Sequence, residues 1–217
     1  MDKQKNSVLH QSDLDYVISR YRSRIADHGP TVESMKSGSE EKQDIRCLVH
    51  SSSFLTENPS VLDIGCGVGY YYGYLKKNGI ACKYTGYDIV PEYIDKNLES
   101  YPEASFEVRN VFEAGINGVF DNVVLSQVLN NRYQSSNNVD VMTKMIELCF
   151  AHSRIGVSID MMSSYVDFKN EDLFYYAPEQ MFSIAKTIAR RVSLRHDYRG
   201  FEFCLQLFHD DAPGFVL

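Results

Sequence analysis

The chain has 217 residues, 44% of them hydrophobic, and a formal net charge of −7. That length supports one well-buried core, and the acidic balance excludes a general attraction to nucleic acid or to an anionic membrane surface. Five scattered cysteines with no CxxC pair argue against a disulfide framework or a metal site, so the thiols are read as reduced in a cytoplasmic protein.

The N-terminal MDKQKNSVLHQSDLD lacks the apolar core of a signal peptide, and no run approaches the roughly 20 apolar residues of a membrane span. Ser12 and Asp15 have the spacing of a helix-starting box. Leu14, Ile18, Tyr21 and Ile25 then recur on one face until His28-Gly29-Pro30 stops the helix. After the polar segment TVESMKSGS, Ser39 is placed to cap a second helix that turns Ile45, Leu48 and Val49 inward, with Glu40 and Glu41 favourable in its first turn. The expected organisation is an N-terminal helical cap over residues 1–57, a core over 58–209 and a tail at 210–217.

From Ser60 onward, short apolar runs (VLDIG, KYTGYDI, SFEVRN, FDNVVLSQ, RIGVSID) alternate with helical stretches, which predicts a parallel sheet flanked by helices. Pro178 starts a last helix. The runs RVSLRHDY and FEFCLQLF are separated only by Arg199-Gly200, a loop too short for a parallel crossover, so the sheet ends in an antiparallel hairpin.

The run VLDIGCGVG places Gly65, Gly67 and Gly69 where a chain leaving a strand turns tightly and lets a ligand approach the backbone. A dinucleotide fingerprint needs its third glycine at position 70, which is Tyr70, so a NAD-dependent oxidoreductase is a weaker alternative. Asp63 ends the same strand. Asp88 ends the next one, where an acidic residue can accept both hydroxyls of a ribose. Asn110 and the Val111 backbone follow the third strand and can meet an adenine edge, while Ile89 or Phe112 can cover the ring. Ser126 and Gln127, after the fourth strand, face the same crevice.

Asp63-x-Gly65-x-Gly67-x-Gly69, Asp88, Asn110, the Phe120-Asp121 strand and the terminal hairpin together resemble the class I S-adenosylmethionine-dependent methyltransferases. The resemblance implies a Rossmann-like, doubly wound α/β fold, its seven strands ordered 3-2-1-4-5-7-6 with strand 7 antiparallel and helices on both faces. It implies S-adenosylmethionine as cofactor, its methionine part held by Asp63 and the backbone of Gly65, Cys66, Gly67 and Gly69, its ribose by Asp88, and its adenine by Asn110 and Val111. The family commonly has aspartate where Asn110 stands, and an amide can still accept from an amino group. HGPT with GSEEKQDIR, SSYVDF, LFYYAPE and RRVSLRHDYRGFEF look like a group of small bacterial methyltransferases that occur in surface-sugar and specialised-metabolite contexts, and the expected acceptor is a metabolite or sugar derivative.

Methyl transfer from a sulfonium is an in-line displacement, so alignment and exclusion of water matter more than a base. Where a proton must leave, His28, His196 and Tyr133 are candidates by chemistry. Arg46, on one face with Gln43, is placed to reach the cofactor carboxylate. Tyr70, Tyr71 and Tyr72 occupy successive helical positions and cannot all face a ligand. Lys186, Arg190, Arg191, Arg195 and Arg199 form a basic cluster that weakly favours an anionic acceptor. Leu129 to Tyr133 does not match the N/D-P-P-Y/F segment of DNA amino-methyltransferases, so DNA is not an expected acceptor. The expected partner is a small-molecule acceptor, with the protein a monomer or homodimer. A non-catalytic cofactor-binding subunit is the alternative from another class.

Overall fold

The computed structural model describes residues 8–35 and 39–214. Five strands run parallel: β1 (Ser60–Ile64), β2 (Lys83–Asp88), β3 (Ser105–Val108), β4 (Phe120–Leu125) and β5 (Ser153–Met162). With β6 (Arg191–Arg195) and β7 (Glu202–Phe208) they form one sheet in the order β3-β2-β1-β4-β5-β7-β6, β7 running antiparallel to both neighbours. This is the topology that the resemblance implies. The central strands are covered on both faces, which is why they read as continuous apolar runs rather than alternating ones.

Among the described residues eight helices supply the covers: α1 (Gln11–His28), α2 (Val32–Met35), α3 (Glu40–Ser51), α4 (Tyr70–Lys77), α5 (Pro91–Ser100), α6 (Val111–Ala114), α7 (Asn138–Ala151) and α8 (Pro178–Ile188). On one face Cys47 of α3, Tyr71, Tyr72 and Leu75 of α4 and Ile94 of α5 pack on Val61 and Val124. On the other, Val17 of α1, Met142 and Ile146 of α7 and Met181 of α8 pack on Leu62, Leu125 and Ile159. Pro91 and Pro178 open their helices, where a missing N–H costs nothing.

Four local expectations are revised. The helix-starting box does not form: α1 begins at Gln11 after His10, and the Ser12 hydroxyl instead meets that of Ser135 at 3.1 Å. The residue that anchors this helix end is Asp13, buried, accepting from the backbone N–H of Gln134 (2.8 Å) and of Ser136 (2.7 Å) and from the Ser136 hydroxyl (2.7 Å). Ser39 precedes α3 as expected but makes no side-chain cap. Leu48 is 61% exposed, and α3 buries Gln43, Arg46, Cys47, Val49 and His50 instead. The final hairpin turns over six residues, 196–201, so His196 lies in the turn rather than in a strand. Two short helices, α2 and α6, add to the predicted elements, and α6 is capped by the Asn110 side chain, which accepts from Phe112 N at 3.1 Å.

Candidate functional site

The chain leaves β1 through Gly65 (φ 75°) and Gly67 (φ 50°), both left-handed. A Cβ on Gly65 would stand 2.7 Å from a methyl of Val128, so the first turn residue is glycine for space as well as for conformation. The amides of Gly65 and Cys66 donate to the Tyr87 carbonyl (2.7 and 3.0 Å), tying the turn to β2. At the end of β2 the Asp88 carboxylate accepts from Gly67 N (2.8 Å) and Val90 N (2.9 Å), so one side chain sets the position of both strand-end loops. Burial raises its pKa to about 6 against the pull of those amides. Asp63 is buried beside it, accepts from the Tyr84 hydroxyl at 2.5 Å, and is likewise raised by burial to about 6.

These groups line a crevice at the carboxyl ends of the strands. Its floor is Asp63, Gly65, Cys66, Gly67, Asp88, Ile89, Ser126 and Gln127, and its cover is Val17 and Tyr21 of α1, Met35 of α2, Gln43 and Cys47 of α3, and Tyr70 and Tyr71 of α4. Tyr72 turns the other way, onto the rings of Tyr84 and Tyr101. Gln43 has its amide nitrogen buried and without a hydrogen-bond partner, a donor presented by the cavity wall. The Met35 thioether covers the turn, its sulfur 3.3 Å from Val68 N and in the space above Gly67. Past Gly65, Asp88, Ile89 and Val128 the crevice continues into a lobe lined by Asn110, Val111 and Phe112. On the opposite side, across Tyr21, Met35 and Gln127, a second cavity opens, lined by Arg20, Arg24, Lys42, Arg46, Asn130 and Asn131 with Met162, Leu173 and Phe201.

Of the residues expected to hold a cofactor, Asp63, Gly65, Cys66, Gly67, Asp88, Ile89, Asn110, Val111, Phe112, Ser126 and Gln127 thus line one continuous crevice. Gly69 stands behind it as the N-cap of α4. Arg46 lines the second cavity, and its guanidinium grips Glu202 (2.8 to 3.1 Å) rather than pointing at the glycine turn. The three candidate bases line neither cavity: His28 is exposed at the end of α1, His196 sits between the rings of Tyr165 and Phe203, and Tyr133 is buried, which pushes its hydroxyl pKa up. The basic cluster at the C-terminal end is dispersed into pairs, Arg190 with Asp210, Arg195 with Asp197 and Arg199 with Glu202. Among the described residues no group of His, Cys, Asp and Glu is arranged to hold a metal ion.

Sequence reasoning missed the polar wall between α3 and the sheet. His50 donates to Ser158 Oγ (2.8 Å) and Asp160 Oδ2 (3.2 Å); burial pulls its pKa down, the Asp160 carboxylate outweighs that, and it rises to about 10. Burial disfavours the Asp160 charge, but His50 and Arg46 hold its pKa below the ordinary value. Asp160 in turn accepts from Gln127 N (2.6 Å) and Nε2 (3.0 Å), and Gln127 also reaches Glu202 (3.2 Å). Gln127 is held at φ 59°, a conformation that side-chain-bearing residues rarely adopt and that persists when surrounding bonds over-determine it. The available signal was a carboxylate in each of two apolar strand runs, Asp160 and Glu202, which demands cations, and Arg46 and His50 stand one helical turn apart to supply them.

A sheet in this order, a glycine turn after its first strand and a carboxylate ending its second define the Rossmann-like fold of methyltransferases. DhpI in complex with S-adenosylhomocysteine superposes with a TM-score of 0.69 over 93% of this chain and 100% of that one, at 14% identity. The magnesium protoporphyrin IX methyltransferase of Synechocystis PCC 6803, also solved with S-adenosylhomocysteine, gives a TM-score of 0.64 over 90% of this chain and 97% of that one, at 14% identity. In sequence, residues 11–144 match the family model described as a methyltransferase domain. Rv1506c of Mycobacterium tuberculosis (strain ATCC 25618 / H37Rv), provisionally named a methyltransferase, is 30% identical over 154 residues, 67% of this chain and 90% of that protein. The chain belongs to the methyltransferase-domain family. No helix among its described residues is long and apolar enough to cross a membrane.

Proposed function

We propose that the protein transfers the methyl group of S-adenosylmethionine to an oxygen or nitrogen atom of a small molecule. The observation that carries this reading is the unbroken crevice from Asn110 past Asp88 and the glycine turn to Asp63, with the orphaned Gln43 amide in its wall. When bound, the cofactor supplies an electrophilic methyl group on a sulfonium. Asp63, the Val68 amide that Met35 covers and Gln43 suit its amino-acid part, Asp88 its ribose, and Asn110 with the Val111 backbone its adenine, between Ile89 and Phe112. Met35, flexible and unbranched, is the side chain that yields the space above Gly67.

Two features of the chain serve the chemistry in this reading. Residues of α1 and α2 cover the crevice and exclude water, the role expected of the segment preceding the core, while Tyr21, Met35 and Gln127 line the boundary where the two cavities meet. Tyr21 has its pKa raised by burial and by the Asp88 charge, so its hydroxyl stays protonated and positions an acceptor as a donor rather than as a base.

Titration calorimetry with S-adenosylhomocysteine tests the assignment. Asp88→Ala is expected to weaken binding by about 2–5 kcal/mol, because bonds from two hydroxyls to a charged acceptor are lost. Unchanged affinity in a variant with an intact cooperative melt would remove Asp88 from the ribose site.

A further inference from the structure

In a chain of net charge −7, the described lining of the second cavity carries Arg20, Arg24, Lys42 and Arg46 and no carboxylate. Two of the four are neutralised from behind, Arg46 by the buried Glu202 at 2.8 Å and Arg20 by Asp172 at 3.4 Å. Arg24 and Lys42 are not. Arg24 donates Nε to the Ser34 carbonyl at 2.7 Å and a terminal nitrogen to the Glu33 carbonyl, bonds that fix the fork between α1 and α2 without cancelling its charge and leave further N–H donors unused. The Glu33 carboxylate is engaged by Thr31 and its own backbone, and lines a different cavity. Lys42 stands one turn before Arg46 on α3 and pairs with no carboxylate among the described residues.

The rest of the lining grades from this charged end to the reaction end. Met162, Leu173 and Phe201 form an apolar wall, and Tyr21 and Gln127 border the first cavity. Resting on the transfer reaction proposed above, we infer that the methyl acceptor is a small acid. Its phosphoryl or carboxylate group is held by Arg24 and Lys42, and the atom to be methylated lies toward Tyr21 and Gln127. Two un-neutralised cations, one of them a pre-oriented guanidinium fork, match an oxyanion head group; a neutral or cationic acceptor would leave both charges uncompensated.

The test is calorimetry on the S-adenosylhomocysteine-loaded protein at low ionic strength, titrated separately with inorganic phosphate and with succinate. The wild type is expected to bind at least one of them saturably. Arg24→Gln/Lys42→Gln is expected to weaken that binding at least ~10-fold, and Lys42→Gln alone, at an exposed position that does not bridge helices, about 3-fold. S-adenosylhomocysteine affinity should stay within about 2-fold in Lys42→Gln, since Lys42 neither lines the first cavity nor anchors its cover. Tighter binding of phosphate assigns a phosphoryl acceptor and tighter binding of succinate a carboxylate. Anion affinity equal in the wild type and the double variant, or no anion binding by a wild type that holds S-adenosylhomocysteine, overturns the inference. A wild type that does not bind S-adenosylhomocysteine overturns the underlying transferase reading instead, and the loading step reads that out separately.

Discussion

The two cavities that meet at Tyr21, Met35 and Gln127 are built in different ways. The floor of the first is a product of local sequence: a strand end, a glycine turn, and the end of the next strand 21 residues from Gly67, joined by backbone amides that donate to the Tyr87 carbonyl and the Asp88 carboxylate. The second gathers side chains from α1, α3, the segment after β4 and the turn before β7, and its rear wall is an ionic network between groups as far apart as Arg46 and Glu202, 156 residues distant in the chain. A site built of short-range backbone contacts can keep its shape while the long-range wall beside it varies. That division suits a family in which one half of the pocket takes a common ligand and the other half differs from member to member.

The largest expected effect breaks the wall. Arg46→Met removes the guanidinium that grips Glu202, which has no solvent exposure, and leaves this carboxylate facing Asp160 with only Arg199, at 3.3 Å, to offset its charge. Removing one partner of a buried pair costs roughly 3–5 kcal/mol of folding stability, and Glu202→Gln in the same chain should restore the larger part of it. Urea unfolding measures both. If the cavities are separable, S-adenosylhomocysteine affinity of the folded single variant stays within about 3-fold of the wild type, because Asp63, Asp88 and the turn are untouched. A loss beyond ~10-fold would show that Gln127, which bonds both Asp160 and Glu202, couples the two halves into one unit.

A second, smaller effect belongs to the first cavity. Asp88 and Asp63 are both raised by burial to about 6, and both are read as acceptors in their ionised form. As pH falls through about 6 each gains a proton and loses its charge and part of its acceptor capacity. S-adenosylhomocysteine affinity is therefore expected to be level above neutrality and to fall below pH 6 by up to ~10-fold per unit for each group that titrates. Binding isotherms at pH 5, 6, 7 and 8 check this, and a flat profile would mean that neither carboxylate meets the ligand.

How much of each cavity was legible in the sequence follows from the same division. Gly65, Gly67, Asp63 and Asp88 declare themselves because their spacing reflects one turn between adjacent parallel strands; the alternation of apolar runs with helices gives the parallel sheet, while its strand order comes only from the family resemblance. The face of α3 was misread because helical periodicity assigns the apolar side inward, whereas here Leu48 is exposed and Arg46 and His50 are buried against carboxylates on β5 and β7. Nothing within a window of one helix reports partners over a hundred residues away. The same holds for Arg20 and Arg24, which read as the polar side of α1 until the fold sets them beside Lys42. The C-terminal basic cluster failed in the opposite sense: its residues are near in sequence, yet each meets its own acid or carbonyl.

The smallest expected effect separates the two carboxylates of the first cavity. The Tyr84 hydroxyl donates to Asp63 at 2.5 Å and is the leading influence that opposes the burial of that charge, whereas Asp88 is held by Gly67 N and Val90 N. Tyr84→Phe removes this donor and keeps the ring that packs between Tyr72 and Phe106. The ionised form of Asp63 then loses one charge-assisted bond, so its pKa must move further up, by roughly one unit for each 1.36 kcal/mol that the bond supplied. If Asp63 meets the ligand, the acid limb of the affinity profile shifts upward by about one unit toward neutrality, with about a 2-fold loss at pH 7. If the limb stays where it was, Asp88 alone sets it, and Asp63 belongs to the framework of the turn rather than to the ligand.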